Sequence, residues 1–196
     1  MTGKKKKLIK LFIIVGISLL CLFILSVILE KVVLSHSTPK LDYDFYVAEE
    51  PEDIHEDSAY LQKDRTLYYT DEMGQCWQIN TAADNGDIGA KFFYLYFYCL
   101  EEGDYETFNT LFSDEFEDYA PFTTQRTYAK EVKYLYDEQI DDNTYSITYS
   151  LDYNIMKNDG SFRRDIGSDM SRTQYITLYY NSEEAWIEEV KSEFRK

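Results

Sequence analysis

Histidine is scarce in this chain, and both copies stand outside its main folding segment. His36 and His55 fall in an acidic stretch with Pro39 and Pro51, Ser35 to about Thr66, so the domain that follows holds no Ser-His or Cys-His catalytic pair. Cysteine is nearly as rare. Three cysteines cannot build a disulfide scaffold, and none has the Cys-x-x-Cys or Cys/His spacing that holds zinc or runs thiol redox chemistry. No metal, cofactor or catalytic residue is expected. Basic charge is the third shortage, with 20 Lys+Arg against 36 Asp+Glu and a net charge of −16. Residues 41–196 hold 13 basic and 35 acidic residues, a balance of −22. Such a surface repels phosphate backbones and anionic headgroups, which excludes nucleic acid as a partner. It favours a basic partner or cations, or serves only to keep the domain in solution.

Apolar length is not lacking. Leu11 to Leu29 runs nineteen residues without a charge, close to the ~20 that a helix needs to cross a bilayer core. Lys4, Lys5, Lys6, Lys7 and Lys10 crowd its N-terminal side, which places a basic tail, residues 1–10, in the cytoplasm. The run is too long for a cleaved signal peptide, and no small-x-small site follows it directly. The expectation is a single-pass cell-membrane protein with its C-terminal domain extracytoplasmic, carried on an acidic stalk over residues 30–66. Cys21 reads as a small apolar residue of the span.

The rest of the chain is organised around Ile88 to Leu111, IGAKFFYLYFYCLEEGDYETFNTL. Ile88, Phe92, Leu95 and Cys99 recur at helical spacing, as do Phe93, Phe97 and Leu100, which predicts a helix over Ile88 to Glu102 with two adjacent buried stripes. Gly103 suits a left-handed C-terminal position, and Asp104 suits the N-cap of a second short helix. Before it, Leu67 to Thr70 and Gln75 to Ile79 read as a hairpin extension, residues 67–80, leaning on the domain through Tyr68 and Trp77. The loop from Thr81 to Asp87 ends in a helix cap. After it, Thr123 to Ala129 reads as a further helical turn. From Val132 the period becomes two, most plainly where Tyr145, Ile147, Tyr149, Leu151, Tyr153 and Ile155 alternate with polar residues. Val132 to Ile140, Arg172 to Tyr180 and Ala185 to Phe194 complete a four-stranded antiparallel meander. Residues 81–196 are thus expected to form an α+β domain, a curved four-stranded antiparallel sheet wrapped on a long and a short helix.

At this point the residues resemble a family. CLEEGDYETFNTLFSDEF is similar to the helix, Gly-Asp corner and second helix of the nuclear-transport-factor-2-like (cystatin-like cone) superfamily, and AWIEEV to its closing Trp-Ile strand. The resemblance covers roughly Asp84 to Phe194. It implies a cone that serves either as an enzyme pocket, as in ketosteroid isomerase-like members, or as a protein-interaction module. Membrane-anchored members are similar to scaffold subunits of conjugative secretion machines and to accessory domains of cell-wall enzymes.

Chemistry and core compete for the same residues. Tyr94, Tyr96, Tyr98, Tyr134, Tyr136, Tyr145, Tyr149 and Tyr153 dominate the expected interior, and a tyrosine beside a neutral Asp152 or Asp137 could make an oxyanion hole. Alternation puts Asp152 on the polar face and does not place Asp137 inside, so a tyrosine-rich core is the better reading. Cys76 and Cys99 could form a disulfide, or Cys99 could be a small buried residue. The reading is a non-catalytic protein-interaction module of a cell-envelope or conjugation-related assembly, with a protein partner or homo-oligomer. Its interaction stripe is Thr173, Tyr175, Thr177 and Tyr179. The alternative is a pocket for a small molecule, binding or isomerase-like.

Overall fold

In the computed structural model, which describes residues 43–48, 53–81, 86–181 and 184–192, Asp87 caps the long helix. Its carboxylate accepts from the backbone N–H groups of Gly89 and Ala90, and helix α2 runs Ile88–Glu102. (The short α1, Ser58–Leu61, precedes it.) Gly103 ends α2 in the left-handed region at φ 68° and donates to Cys99 and Leu100 carbonyls, geometry a Cβ would strain. Asp104 then accepts from the Thr107 N–H and starts α3, Tyr105–Asn109.

The strands are β1 Leu67–Thr70, β2 Cys76–Ile79, β3 Arg126–Gln139, β4 Tyr145–Met156, β5 Gln174–Tyr180 and β6 Ala185–Lys191, in one sheet of order β2-β1-β3-β4-β5-β6. This corrects the expected four-stranded antiparallel sheet. The sheet has six strands and is mixed, because β1 pairs antiparallel with β2 and parallel with β3, with Leu67 opposite Lys130. The hairpin is therefore part of the sheet. Leu67, Tyr69 and Ile79 are its buried residues, whereas Trp77 is 41% exposed and Tyr68 half-buried. Arg126 to Ala129, the later part of the helical turn expected over Thr123 to Ala129, already belong to β3. Ala129 adopts φ 50°, and the β3–β4 register shifts between Tyr128 and Glu131 and again between Tyr134 and Tyr136. Such bulges bend a strand and raise its twist.

No helix among the described residues is long and apolar enough to cross a membrane. The longest, α2, has 15 residues and carries Lys91, Glu101 and Glu102, short of the ~20 apolar residues a span needs. The expected anchor at Leu11 to Leu29 lies outside the described residues. The transmembrane, single-pass and extracytoplasmic placement built on it is accordingly corrected: nothing among the described residues supports a membrane span.

Aromatic rings fill the space between α2 and the sheet. Phe93 meets Tyr149 edge-on at 5.1 Å and Phe97 meets Tyr153 at 5.2 Å; each such buried side chain contributes ~1.5–3 kcal/mol. The buried face of α2 is Phe92, Phe93, Tyr96, Phe97, Cys99 and Leu100, while Leu95, expected in a buried stripe, is 37% exposed. Of the tyrosines expected inside, Tyr96, Tyr149 and Tyr153 are buried, Tyr94, Tyr134 and Tyr136 are half-buried, and Tyr98 and Tyr145 are exposed. Sheet coverage explains the split, since α2 is packed on one side only.

Residues 43–66, where described, belong to the same unit as the sheet, Tyr43–Lys196. Ile54 and Tyr60, read from sequence as part of a solvated spacer, are 2% and 1% exposed. Asp57 pins this strap: it caps α1, and its Oδ2 accepts from Arg126 Nε at 2.9 Å and Lys157 Nζ at 3.0 Å. Burial would raise its pKa, but the Lys157 hydrogen bond, the Tyr60 N–H and the charges of Lys157 and Arg126 outweigh it and hold it at about 2. Because the folded value lies below the ordinary 3.8, the stabilisation is present above pH ~3.8 and is lost as pH falls towards 2. Urea unfolding across that range should show the wild type losing about 2 kcal/mol relative to Asp57→Asn. Parallel pH profiles for the two proteins would sink this assignment.

Candidate interaction surface

The face of the sheet turned away from α2 is built in three cross-strand rows. In order β3, β4, β5, β6 they are Glu138, Ser146, Tyr179, Trp186; Tyr136, Thr148, Thr177, Glu189; and Lys133, Ser150, Tyr175, Lys191. Period-two alternation produces this face, since Ile176 and Leu178 between the β5 members point into the core at 1% exposure each. Three residues of the sequence-read stripe, Tyr175, Thr177 and Tyr179, share the face and are half-buried. Thr173 lies just before β5, its hydroxyl donating to Asp152 Oδ1 at 2.8 Å.

The centre of the face is a furrow. Ser146, Thr148 and Ser150 are only 6%, 4% and 9% exposed, because small side chains of β4 lie below the larger ones on β3 and β5. Thr148 and Thr177 hydroxyls share a 3.1 Å hydrogen bond across the furrow. Tyr179 packs on Trp186 with ring centroids 6.2 Å apart. Charge is kept to the margin, where Lys133 pairs with Glu131 and Lys191 with Glu189, each at 2.6 Å, and Glu138 ends the first row. Burial, then the carboxylates of Glu188, Glu189 and Glu138, raises the Tyr179 phenol above its ordinary pKa, so it remains a hydroxyl donor at neutral pH. The furrow residues were missed from sequence. Their signal was the polar side of the β4 alternation, which without strand register could not be set beside Tyr136 or Tyr175.

The carboxylates weighed for an oxyanion hole are elsewhere. Asp152 faces outward against Thr173, and Asp137 accepts a hydrogen bond from Tyr134 at an exposed position. An interior tyrosine–carboxylate contact is instead made by Tyr69 with Asp87, 2.6 Å apart, with the Tyr149 hydroxyl 3.3 Å beyond. That carboxylate also accepts the first N–H groups of α2, so it is occupied in capping. Cys76 and Cys99 are both free, one exposed on β2 and the other buried on α2. Among the described residues no three His, Cys, Asp or Glu side chains form a group able to hold a metal ion.

A cleft of about 440 Å³ lies on the other side of the molecule, between the flank of α2 and the strap that leads into β1, with Lys130, Glu101 and Arg65 among its lining residues. Lys130 Nζ donates to Glu101 Oε1 at 2.7 Å, and the Thr127 hydroxyl donates to the same oxygen at 2.8 Å. Compared with models of protein families, with curated proteins and with solved structures, the chain matches none.

Proposed function

We propose that the domain is a non-catalytic protein-interaction module that docks through the outer face of its sheet. The furrow carries this reading. In a segment whose charges balance at −22 over residues 41–196, the centre of this one face is uncharged, hydroxyl-rich and flanked by tyrosines, with ion pairs at its edge. Interface cores have that composition, depleted in charge and enriched in aromatic residues, with a polar rim. The occupant is a protein, either a different chain or a second copy of this one. A second copy carries the same net charge, and an uncharged centre is where two such domains can meet with least repulsion. The resemblance to cone domains that act as interaction modules agrees with this and forms part of the proposal. The envelope or conjugation setting expected from the sequence drew on the anchor and forms no part of it.

Changing Tyr175 and Tyr179 together to Ala in the full chain is expected to weaken capture of a protein partner, or self-association in sedimentation, by about tenfold or more. Melting should change little, because both side chains are half-exposed. Thr177→Arg should act the same way by placing a charge in the centre. If both variants keep wild-type capture and wild-type sedimentation, the outer face is not the docking surface.

A further inference from the structure

Lys130 is a lysine only 5% exposed at the floor of the 440 Å³ cleft. An ammonium has three N–H donors, and among the described residues one of them is spent, on Glu101 at 2.7 Å. A second contact is with the Phe97 ring, whose centroid is 5.2 Å from Nζ. Buried donors left without an acceptor are costly, so the remaining hydrogens favour an acceptor placed in the cleft. At the rim the exposed Arg65 lies 5.4 Å over the Tyr60 ring, and no carboxylate pairs with it among the described residues. Its guanidinium is a planar fork suited to a carboxylate.

The other charges of the cleft are committed. Lys63 lies 3.6 Å from Asp169 and over the Tyr128 ring. Asp64 accepts from the Thr66 N–H and the Tyr68 hydroxyl. Lys63, Arg65 and Lys130 against Asp64 and Glu101 leave the lining at +1 within a strongly acidic domain. Flat aromatic faces stand beside these polar groups. Tyr94 and Tyr98, one helical turn apart on α2, are stacked with centroids 6.5 Å apart and planes 18° from parallel. Leu67 and Ile79, each 3% exposed, lie on the hairpin side. A volume of this size is in the range of ~300–1,000 Å³ that small-molecule sites occupy.

We propose that this cleft binds a small aromatic carboxylate, its carboxyl group between Arg65 and Lys130 and its ring against Tyr94 and Tyr98. The site is separate from the sheet face and does not rest on the docking reading. Phenylacetate titrated into the full chain, followed by amide chemical shifts, should move Arg65, Thr66, Tyr98, Glu101 and Lys130 saturably, while the neutral phenylacetamide binds about tenfold or more weakly. Arg65→Gln and Tyr98→Ala change exposed residues and should each weaken phenylacetate about fivefold or more without moving the melting temperature. Lys130→Gln could strand Glu101, so Glu101→Gln/Lys130→Gln is the variant that tests the floor, and it too should weaken binding. Equal binding of acid and amide, or sulfate moving the same residues as strongly as phenylacetate, would overturn the ligand class. Shifts that are absent, or that persist unchanged in Arg65→Gln and Tyr98→Ala, would overturn the site.

Discussion

Phe108→Ala is expected to destabilise the domain by ~4 kcal/mol, since truncation of a buried aromatic typically costs ~3–5 kcal/mol. Phe108 is fully buried on α3 and meets five rings, Tyr96, Phe112, Tyr119, Phe122 and Phe162, at centroid distances of 5.0 to 5.4 Å. Those rings come from α2, from the segment between α3 and β3, and from the β4–β5 loop. One side chain therefore joins three parts of the chain, two of which, α2 and the segment between α3 and β3, also share a 2.8 Å hydrogen bond from the Gln125 N–H to the Leu100 carbonyl. Edge-to-face and tilted pairs of this kind add ~0.5–1.5 kcal/mol beyond area burial. For a domain of this size the loss corresponds to a melting point lower by roughly 8–16 °C. The hole left behind is apolar and should take up benzene, as dry engineered cavities do, whereas the wild type should not. A loss below ~1.5 kcal/mol with no benzene uptake would mean that the surrounding rings collapse into the space. The hub would then be a loose cluster rather than a fixed plug.

Gly89→Ala should be the second large loss, although helix propensity alone would make it a gain of up to ~1 kcal/mol. A Cβ at Gly89 would lie 2.7 Å from Tyr149 Cζ and 2.8 Å from the Tyr69 hydroxyl oxygen. Neither ring has room to move, because both are 1% exposed and Tyr149 is held against Phe93 and Tyr134. The clash also falls on the Tyr69–Asp87 hydrogen bond beside the helix cap. Overpacking of this kind costs ~1–3 kcal/mol or more, so a net loss of about 2–3 kcal/mol is expected in chemical denaturation. Tyr149→Phe removes the closest oxygen and should restore part of the loss when combined with Gly89→Ala. Strict additivity of the two changes would show that the Tyr149 hydroxyl is not what excludes a side chain there.

Local backbone chemistry was the part of the fold most legible in sequence. Asp87, Gly103 and Asp104 occupy their expected cap positions because each acts on neighbours within four residues. Alternation likewise revealed β4 and the β5 side of the outer face. What could not be read depends on partners far along the chain. Nothing near Leu67 announces that it pairs with Lys130, and nothing near Glu101 announces Lys130 or Thr127. Leu95 matched a helical stripe but faces outward, because periodicity says which residues share a side and not whether that side is covered. The β4–β5 loop was opaque for a related reason. Its order comes from buried polar groups, with Asn158 donating to the carbonyls of Arg163 and Ile166 and Arg163, 4% exposed, held by Asp165, and these have no hydrophobic period.

The parallel joint between β1 and β3 also has a consequence for the order in which the molecule assembles. The antiparallel pairs β3–β4, β4–β5 and β5–β6 each close a modest loop, but β1 must find β3 across about 60 intervening residues, at a higher entropic cost of closure. The β1–β2 hairpin is therefore expected to dock late in folding and to open first under native conditions, with the fastest amide exchange among the paired strands. The cleft has Leu67 and Ile79 on that hairpin and Lys130 on β3, so it exists only while the joint is closed. A ligand held there would act as a latch, slowing the opening of the sheet at its most labile seam.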